Sequence, residues 1–251
     1  MSAPILEARG LVKRFGGLVA TDALNLAVSA GEVHALIGPN GAGKTTLIGQ
    51  LAGELVPDAG SIWFESRDVT RLAVHQRALA GLARSYQITQ VVPEFTALEN
   101  VMLAVQAHAG HSFRFWRPAR ASASLTEPAR EALEQVGLAA RAETISAEMA
   151  HGEHRQLELA MALAARPKLL LLDEPLAGMS RQENVEMIEL LSRLKGRYSM
   201  LLVEHDMDAV FALADRITVL VYGRAIACGS PEAIRASEEV RAAYLGDMEV
   251  A

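Results

Sequence analysis

Cysteine is almost missing from this chain: Cys228 is the single one in 251 residues. No internal disulfide framework can form, which fits a reducing compartment and leaves stability to a buried core. Aromatic residues are scarce at 5%, yet 51% of the residues are hydrophobic, and that excludes disorder as the overall state. Long apolar runs are also absent. Runs such as 169–172 and 217–222 fall far short of the roughly 20 residues a spanning helix needs. Any work at a membrane is therefore expected to go through partner proteins. No basic excess exists either: 24 Lys and Arg stand against 30 Asp and Glu, a net charge of −6. That balance argues against a protein that binds nucleic acid through phosphate neutralisation. The opening Met1-Ser2-Ala3-Pro4-Ile5-Leu6-Glu7 has no basic stretch followed by an apolar one, so no signal peptide is expected and the chain reads as cytosolic.

The length suits one large domain or two small ones. Residues 5–37 alternate in short apolar runs broken by Gly16-Gly17 and Ala30-Gly31, the pattern of strands and turns. The apolar run 33–37 predicts a strand, and a helix is expected from about Lys44. Pro57-Asp58-Ala59-Gly60 predicts a turn before a strand over 61–64. From about residue 88 to 166 the texture becomes alanine-rich and helical, with helices expected over 96–105, 127–136 and 153–165. Strand-like runs return at 169–172, 200–203 and 217–222, alternating with helical stretches. This order predicts a nucleotide-binding α/β core interrupted by an inserted helical subdomain.

Two motifs carry chemistry. Gly38-Pro39-Asn40-Gly41-Ala42-Gly43-Lys44-Thr45 fits the phosphate-loop pattern, with a predicted strand before it and a helix after it. Glycines let successive backbone N–H groups turn toward a phosphate, and the helix start adds its positive dipole end. Lys44 supplies a cation for the β- and γ-phosphates, and the Thr45 hydroxyl suits Mg²⁺. The chain is thus expected to bind a nucleoside triphosphate. Farther along, Leu169-Leu170-Leu171-Leu172-Asp173-Glu174-Pro175 is a buried strand delivering two acids. Asp173 at the strand end is expected to support Mg²⁺, and Glu174 to polarise an attacking water.

With these residues in place, the sequence resembles the ATP-binding-cassette ATPases over nearly its whole length. Arg84-Ser85-Tyr86-Gln87 is similar to the family's segment ending in a glutamine that contacts Mg²⁺ and the attacking water. Met149-Ala150-His151-Gly152-Glu153 stands where the family's five-residue signature lies. Val203-Glu204-His205-Asp206 resembles the strand end carrying the switch histidine, and Phe15 the aromatic that stacks on adenine. A narrower resemblance, to the ATPase subunits of high-affinity branched-chain amino acid importers, rests on Arg14–Ala20 (RFGGLVA), Gly81-Leu82-Ala83-Arg84, Glu204-His205-Asp206-Met207 and Ala243-Tyr244-Leu245-Gly246.

The resemblance implies one cassette domain: a RecA-like core with an antiparallel β-subdomain (1–87 and 167–251) and a helical subdomain (88–166). It implies ATP contacts from Phe15, Gly38 to Thr46 (Pro39, Asn40, Gly41, Ala42, Gly43, Lys44, Thr45 and Thr46) and, across a dimer, from Ala150, His151, Gly152 and Glu153. It gives Mg²⁺ to Thr45, Gln87 and Asp173, and catalysis to Glu174, His205, Gln87 and Lys44. Implied partners are two transmembrane permease subunits, a second cassette (non-identical or another copy) and, indirectly, an extracytoplasmic solute-binding protein, with no nucleic acid. The implied place is the cytoplasmic face of a bacterial inner membrane. A lipid or lipopolysaccharide exporter ATPase, or a non-transport cassette ATPase, fits the same motifs. Two departures stand out: Ala150 replaces the signature's usual serine, and Ser180 stands where the wider family has an aspartate. The composite site closed by this chain's signature is therefore expected to be the weaker one. Arg114, Arg117 and Arg120 interleave with Phe113, Phe115 and Trp116, a pattern open to a packed hairpin or to nucleic-acid or headgroup contact.

Overall fold

Five-residue runs with four apolar positions cannot lie on a sheet with one wet face, and here they do not. In the computed structural model, which describes residues 3–84, 91–109 and 119–242, every residue of β3 (Val33–Ile37), β7 (Leu169–Asp173) and β8 (Ser199–Val203) is buried. Burial on both faces is the signature of central parallel strands covered by helices. The sheet order is β10-β9-β3-β8-β7-β6, with β6 (Leu82–Arg84), β9 (Arg216–Val221) and β10 (Arg224–Gly229). Only β10 runs antiparallel to its neighbour.

A second sheet, β2-β1-β4-β5, is antiparallel throughout and is built from β1 (Leu6–Phe15), β2 (Leu18–Val28), β4 (Ala59–Phe64) and β5 (Arg67–Asp68). Helix α1 (Lys44–Ala52) lies between the sheets, and its Leu47, Ile48 and Leu51 share one apolar cluster with Leu6, Leu11 and Ile62 of one sheet and Leu36, Leu171 and Leu201 of the other. α2 (Val74–Ala80) leads into β6. α3 (Ala97–Ala109), α4 (Ala123–Gln135) and α5 (His151–Ala164) pack on each other through Val101, Leu133, Leu157 and Ala160. That cluster continues through Leu172 and Leu202 to α6 (Arg181–Leu194). On the other flank α7 (Met207–Leu213), α8 (Pro231–Ala236) and the single turn α9 (Glu238–Val240) cover β3 and β9.

Element ends moved where local chemistry decided them. β4 starts two residues before the expected 61, because Ala59 already pairs with Val12 of β1; Gly60 follows at a φ of +90°, where a Cβ would lie 2.4 Å from the Gly10 carbonyl oxygen. The strand therefore begins inside the turn. α4 starts at Ala123, not 127: Pro128 sits inside the helix, where its missing N–H costs one intrahelical bond. Thr96 caps α3 reciprocally, Glu99 N donating to Thr96 Oγ1 (3.2 Å) and Thr96 N to Glu99 Oε2 (2.9 Å).

Candidate functional site

The phosphate loop joins buried β3 to α1 and is gripped from three sides. A Cβ on Gly38 would come within 2.0 Å of the Leu220 carbonyl oxygen, and one on Gly43 within 2.1 Å of that of Ala20. Only glycine fits at either position. The β9–β10 hairpin closes the third side, Gly223 N donating to Ala42 O at 2.9 Å. Inside the loop Ala42 N donates to Pro39 O (3.1 Å), and Lys44 Nζ donates to Gly38 O (2.6 Å) and Pro39 O (3.1 Å). Asn40, Gly41 and Thr45 face solvent, and Thr46 is half-buried. Burial lowers the pKa of Lys44, against the opposing pull of Glu174 and Asp173. The cation and the two acids thus share one electrostatic neighbourhood.

Asp173 ends β7 opposite Val203 of β8 and is 2% exposed. Its Oδ2 accepts from Arg84 Nη2 at 3.1 Å, and Arg84 also pairs with Glu54 just after α1. Burial raises the Asp173 carboxyl, and Arg84 opposes that rise. Its Oδ1 is buried with no hydrogen-bond partner among the described residues. An orphaned carboxylate oxygen beside a phosphate loop fits a hard cation, which takes oxygen ligands. The exposed Thr45 hydroxyl is a second donor of that kind.

Glu174 follows in the left-handed region at φ +50°, where a non-glycine residue costs on the order of 1–3 kcal/mol. Its N–H donates to Val203 O (2.9 Å), which pins the strained residue to the end of β8. Glu204, next on β8's side, is 1% exposed and raised by burial. It accepts from Leu176 N (3.0 Å) and His205 N (3.1 Å), tying together the two loops that carry Glu174 and His205. The His205 side chain is 64% exposed, with Nδ1 3.8 Å from Glu204 Oε2, too far for a hydrogen bond.

Phe15 ends β1 and is 48% exposed, with Lys13 Nζ 5.7 Å from its ring centre. Lys13 is itself held by Asp58 and Val56 O, both at 2.9 Å. Residues 150–153 open α5, with Ala150 at the N-cap and no side-chain cap there. Ala150 N donates to Glu153 Oε2 (2.9 Å), Arg141 binds the same carboxylate, and Gly152 N donates to Glu183 Oε1 at 2.9 Å. The fold thus brings Lys44, Asp173, Glu174 and His205 to one end of the parallel sheet, while the hydrogen bonds of 150–153 run to Arg141 and α6. Gln87 lies outside the described residues, as do Phe113, Arg114, Phe115, Trp116, Arg117 and 243–246. Arg120 is engaged by Glu99 and Glu143. Sequence reasoning passed over the ties made by Arg84, Glu54, Glu183 and Glu204. Their partners lie 28 to 89 residues away in the chain, and no local pattern marks them.

Comparison with known proteins supplies the lineage. Residues 21–177 match the family model described as ABC transporter, and 226–250 match that of branched-chain amino acid ATP-binding cassette transporters. The chain is 39% identical to the high-affinity branched-chain amino acid transport ATP-binding protein BraF of Pseudomonas aeruginosa, covering 98% of this chain and 100% of BraF. It is 38% identical to the LivG protein of Escherichia coli K12, again over 98% and 100%. Among solved structures, an ADP-bound ATP-binding cassette of an ABC transporter superposes with a TM-score of 0.86 at 28% identity, covering 98% of this chain and 100% of that one. A nucleotide-free cassette gives 0.82 at 30%, covering 98% and 97%. No helix among the described residues is long and apolar enough to cross a membrane. End-to-end likeness in sequence and in fold, centred on a glycine-gripped phosphate loop, places this chain in the ABC transporter family, as one of its ATP-binding, ATP-hydrolysing cassettes.

Proposed function

We propose that this chain is the ATPase subunit of an importer for branched-chain amino acids or a closely related small solute. The observation that carries this reading is the full-length likeness to BraF and LivG, joined to the separate match over 226–250. The chain works at the cytoplasmic face of a bacterial inner membrane, bound to two permease subunits and a second, non-identical cassette, while a solute-binding protein outside delivers the cargo. Residues 88–166 form the helical subdomain and the remainder the core with its β-subdomain.

In this reading the loop amides of 38–46 and the Lys44 ammonium bind the ATP phosphates, and Phe15 stacks on adenine. Thr45, Asp173 and Gln87 hold Mg²⁺, which neutralises charge on the phosphates when bound. The orphaned Asp173 Oδ1 supports that assignment. Glu174 accepts a proton from the attacking water, and its strained backbone beside Val203 supports a positioned role. His205 and Gln87 respond to the γ-phosphate. Ala150, His151, Gly152 and Glu153 complete the partner's site through the start of α5. Residues 88–106, just after Gln87, receive a cytosolic helix of the permease.

Two experiments test this. Glu174→Gln is expected to cut Mg²⁺-dependent ATP turnover by at least about a hundredfold while a fluorescent ATP analogue still binds. Retained hydrolysis removes Glu174 from its role. Affinity purification from native membranes in mild detergent should recover two polytopic subunits and a different cassette. Recovery of this cassette alone with exporter-type membrane subunits contradicts the importer assignment.

A further inference from the structure

One carboxylate serves two helices. Glu183, in the first turn of α6, caps its own helix with Oε2, which accepts from Ser180 N at 2.8 Å. Its Oε1 is spent elsewhere, on Gly152 N at 2.9 Å, in the first turn of α5. The approach depends on glycine: a Cβ at 152 would lie 2.7 Å from Glu183 Oε1 and 2.9 Å from its Cγ. The same two segments touch again where His151 Nε2 would meet a Cβ on Gly178 at 3.2 Å. The Ser180 hydrogen bonds, and then the one from Gly152, hold the Glu183 carboxyl below the usual carboxylate range, keeping it an anion.

We propose that Glu183 is an internal anion occupying the α5 amide which the γ-phosphate on the partner cassette must take, so that ATP-driven closure exchanges carboxylate for phosphate. This rests on the two-cassette reading above. The first-turn amides of α5 are its anion-seeking end, and Ala150 brings no side-chain acceptor or donor to it. A carboxylate already seated there consumes one donor and sets a negative charge beside the incoming phosphate. The exchange therefore raises the ATP concentration needed for closure. It also links the signature to the segment 174–180, because Glu183 holds both Gly152 and Ser180.

The test uses the complete complex, purified from native membranes with this chain as wild type, Glu183→Gln or Glu183→Ala. Glutamine removes the charge and keeps one accepting oxygen, enough for Gly152 or for Ser180 but not for both, since Oε1 serves one and Oε2 the other. Half-saturating ATP for turnover is expected to fall about fivefold in Glu183→Gln, the size of one like-charge contact at short range in water, and to depend less on salt. Glu183→Ala is expected to fall at least as far, with a lower melting temperature from the lost cap. An unchanged or raised value in Glu183→Gln overturns the proposal and leaves Glu183 as a helix cap. Hydrogen–deuterium exchange of peptides over 38–46 and 149–155, with ATP and Glu174→Gln, separates the two readings. Protection at 38–46 without protection at 149–155 overturns the two-cassette reading together with this proposal. Protection at both with no shift in Glu183→Gln overturns the proposal alone.

Discussion

Arg77 shows how far a buried charge can be satisfied without an ion pair. It is 2% exposed and donates to the carbonyls of Gln50 (2.8 Å), Leu51 (2.7 Å), Thr70 (2.9 Å) and Leu72 (3.1 Å). Burial lowers its pKa to about 10, so it remains charged at any physiological pH. Its targets include the last carbonyls of α1, the helix that starts at the phosphate loop. Arg77→Met should cost about 3–5 kcal/mol in chemical denaturation, since it strands several buried acceptors. Arg77→Lys should recover only part of that, because an ammonium lacks the planar fork. Glu32 makes a different contribution. Burial alone would raise its carboxyl, but hydrogen bonds from His34 and Ser29 prevail and hold it at about 2, below the ordinary 4.5. A depressed carboxyl stabilises the fold fully above about 4.5, and that contribution drains away as pH falls toward 2. Glu32→Gln should therefore flatten the loss of stability between those values in a pH series of thermal melts.

At the scale of elements, α5 and α3 open differently. Thr96 and Glu99 satisfy each other's backbone, whereas at α5 Glu153 reaches back to Ala150 N and Ala150 returns nothing. Ala150→Ser completes that box and should stabilise the protein by about 1 kcal/mol, measurable by denaturant titration. In the importer reading the new hydroxyl also adds a donor toward the partner's phosphate, so turnover of the complex should rise with it. A gain in stability without a gain in turnover would confine residue 150 to capping. α4 shows where element ends escape local reading: Pro128 resembles a first-turn proline, yet the helix begins at Ala123, and Leu125 in the added turn packs against the same apolar cluster as Ala129, Ala132 and Leu133.

Across the whole molecule, the two sheets share the task of shaping the nucleotide loop. The antiparallel sheet contributes Ala20, and the six-stranded sheet Leu220 of β9 and Gly223 of the β9–β10 hairpin, all within contact of residues 38–43. Gly43→Ala must displace β2 to relieve a 2.1 Å approach, and its affinity for an ATP analogue should drop at least about tenfold, since misplaced loop amides lose charge-assisted bonds. The assembled transporter provides the largest-scale expectation. With Ala150 and Ser180 in this chain, the composite site that its signature closes should be the weaker, by about 1.5–3 kcal/mol for one lost donor to a charged group. Glu→Gln substitution in one cassette at a time should then give unequal residual turnover, and equal values would remove the asymmetry.

What the sequence by itself determined is local. Short, mostly apolar runs specify strands buried on both faces, the glycine-rich turn ahead of Lys44 specifies a phosphate loop, and the acid pair after 169–172 specifies its strand end, since each depends on neighbouring residues alone. Tertiary structure decided the contacts that join distant positions: Arg84 to Asp173, Gly152 to Glu183, Glu204 to Leu176, and Gly43 to Ala20. The first and third meet only once the strand order β8-β7-β6 is set, the second where the start of α5 reaches α6, and the last where β2 of the antiparallel sheet reaches the phosphate loop. A single glutamate or arginine carries no mark of such a tie, because hydrogen bonding at these ranges is a property of assembled elements and not of spacing along the chain.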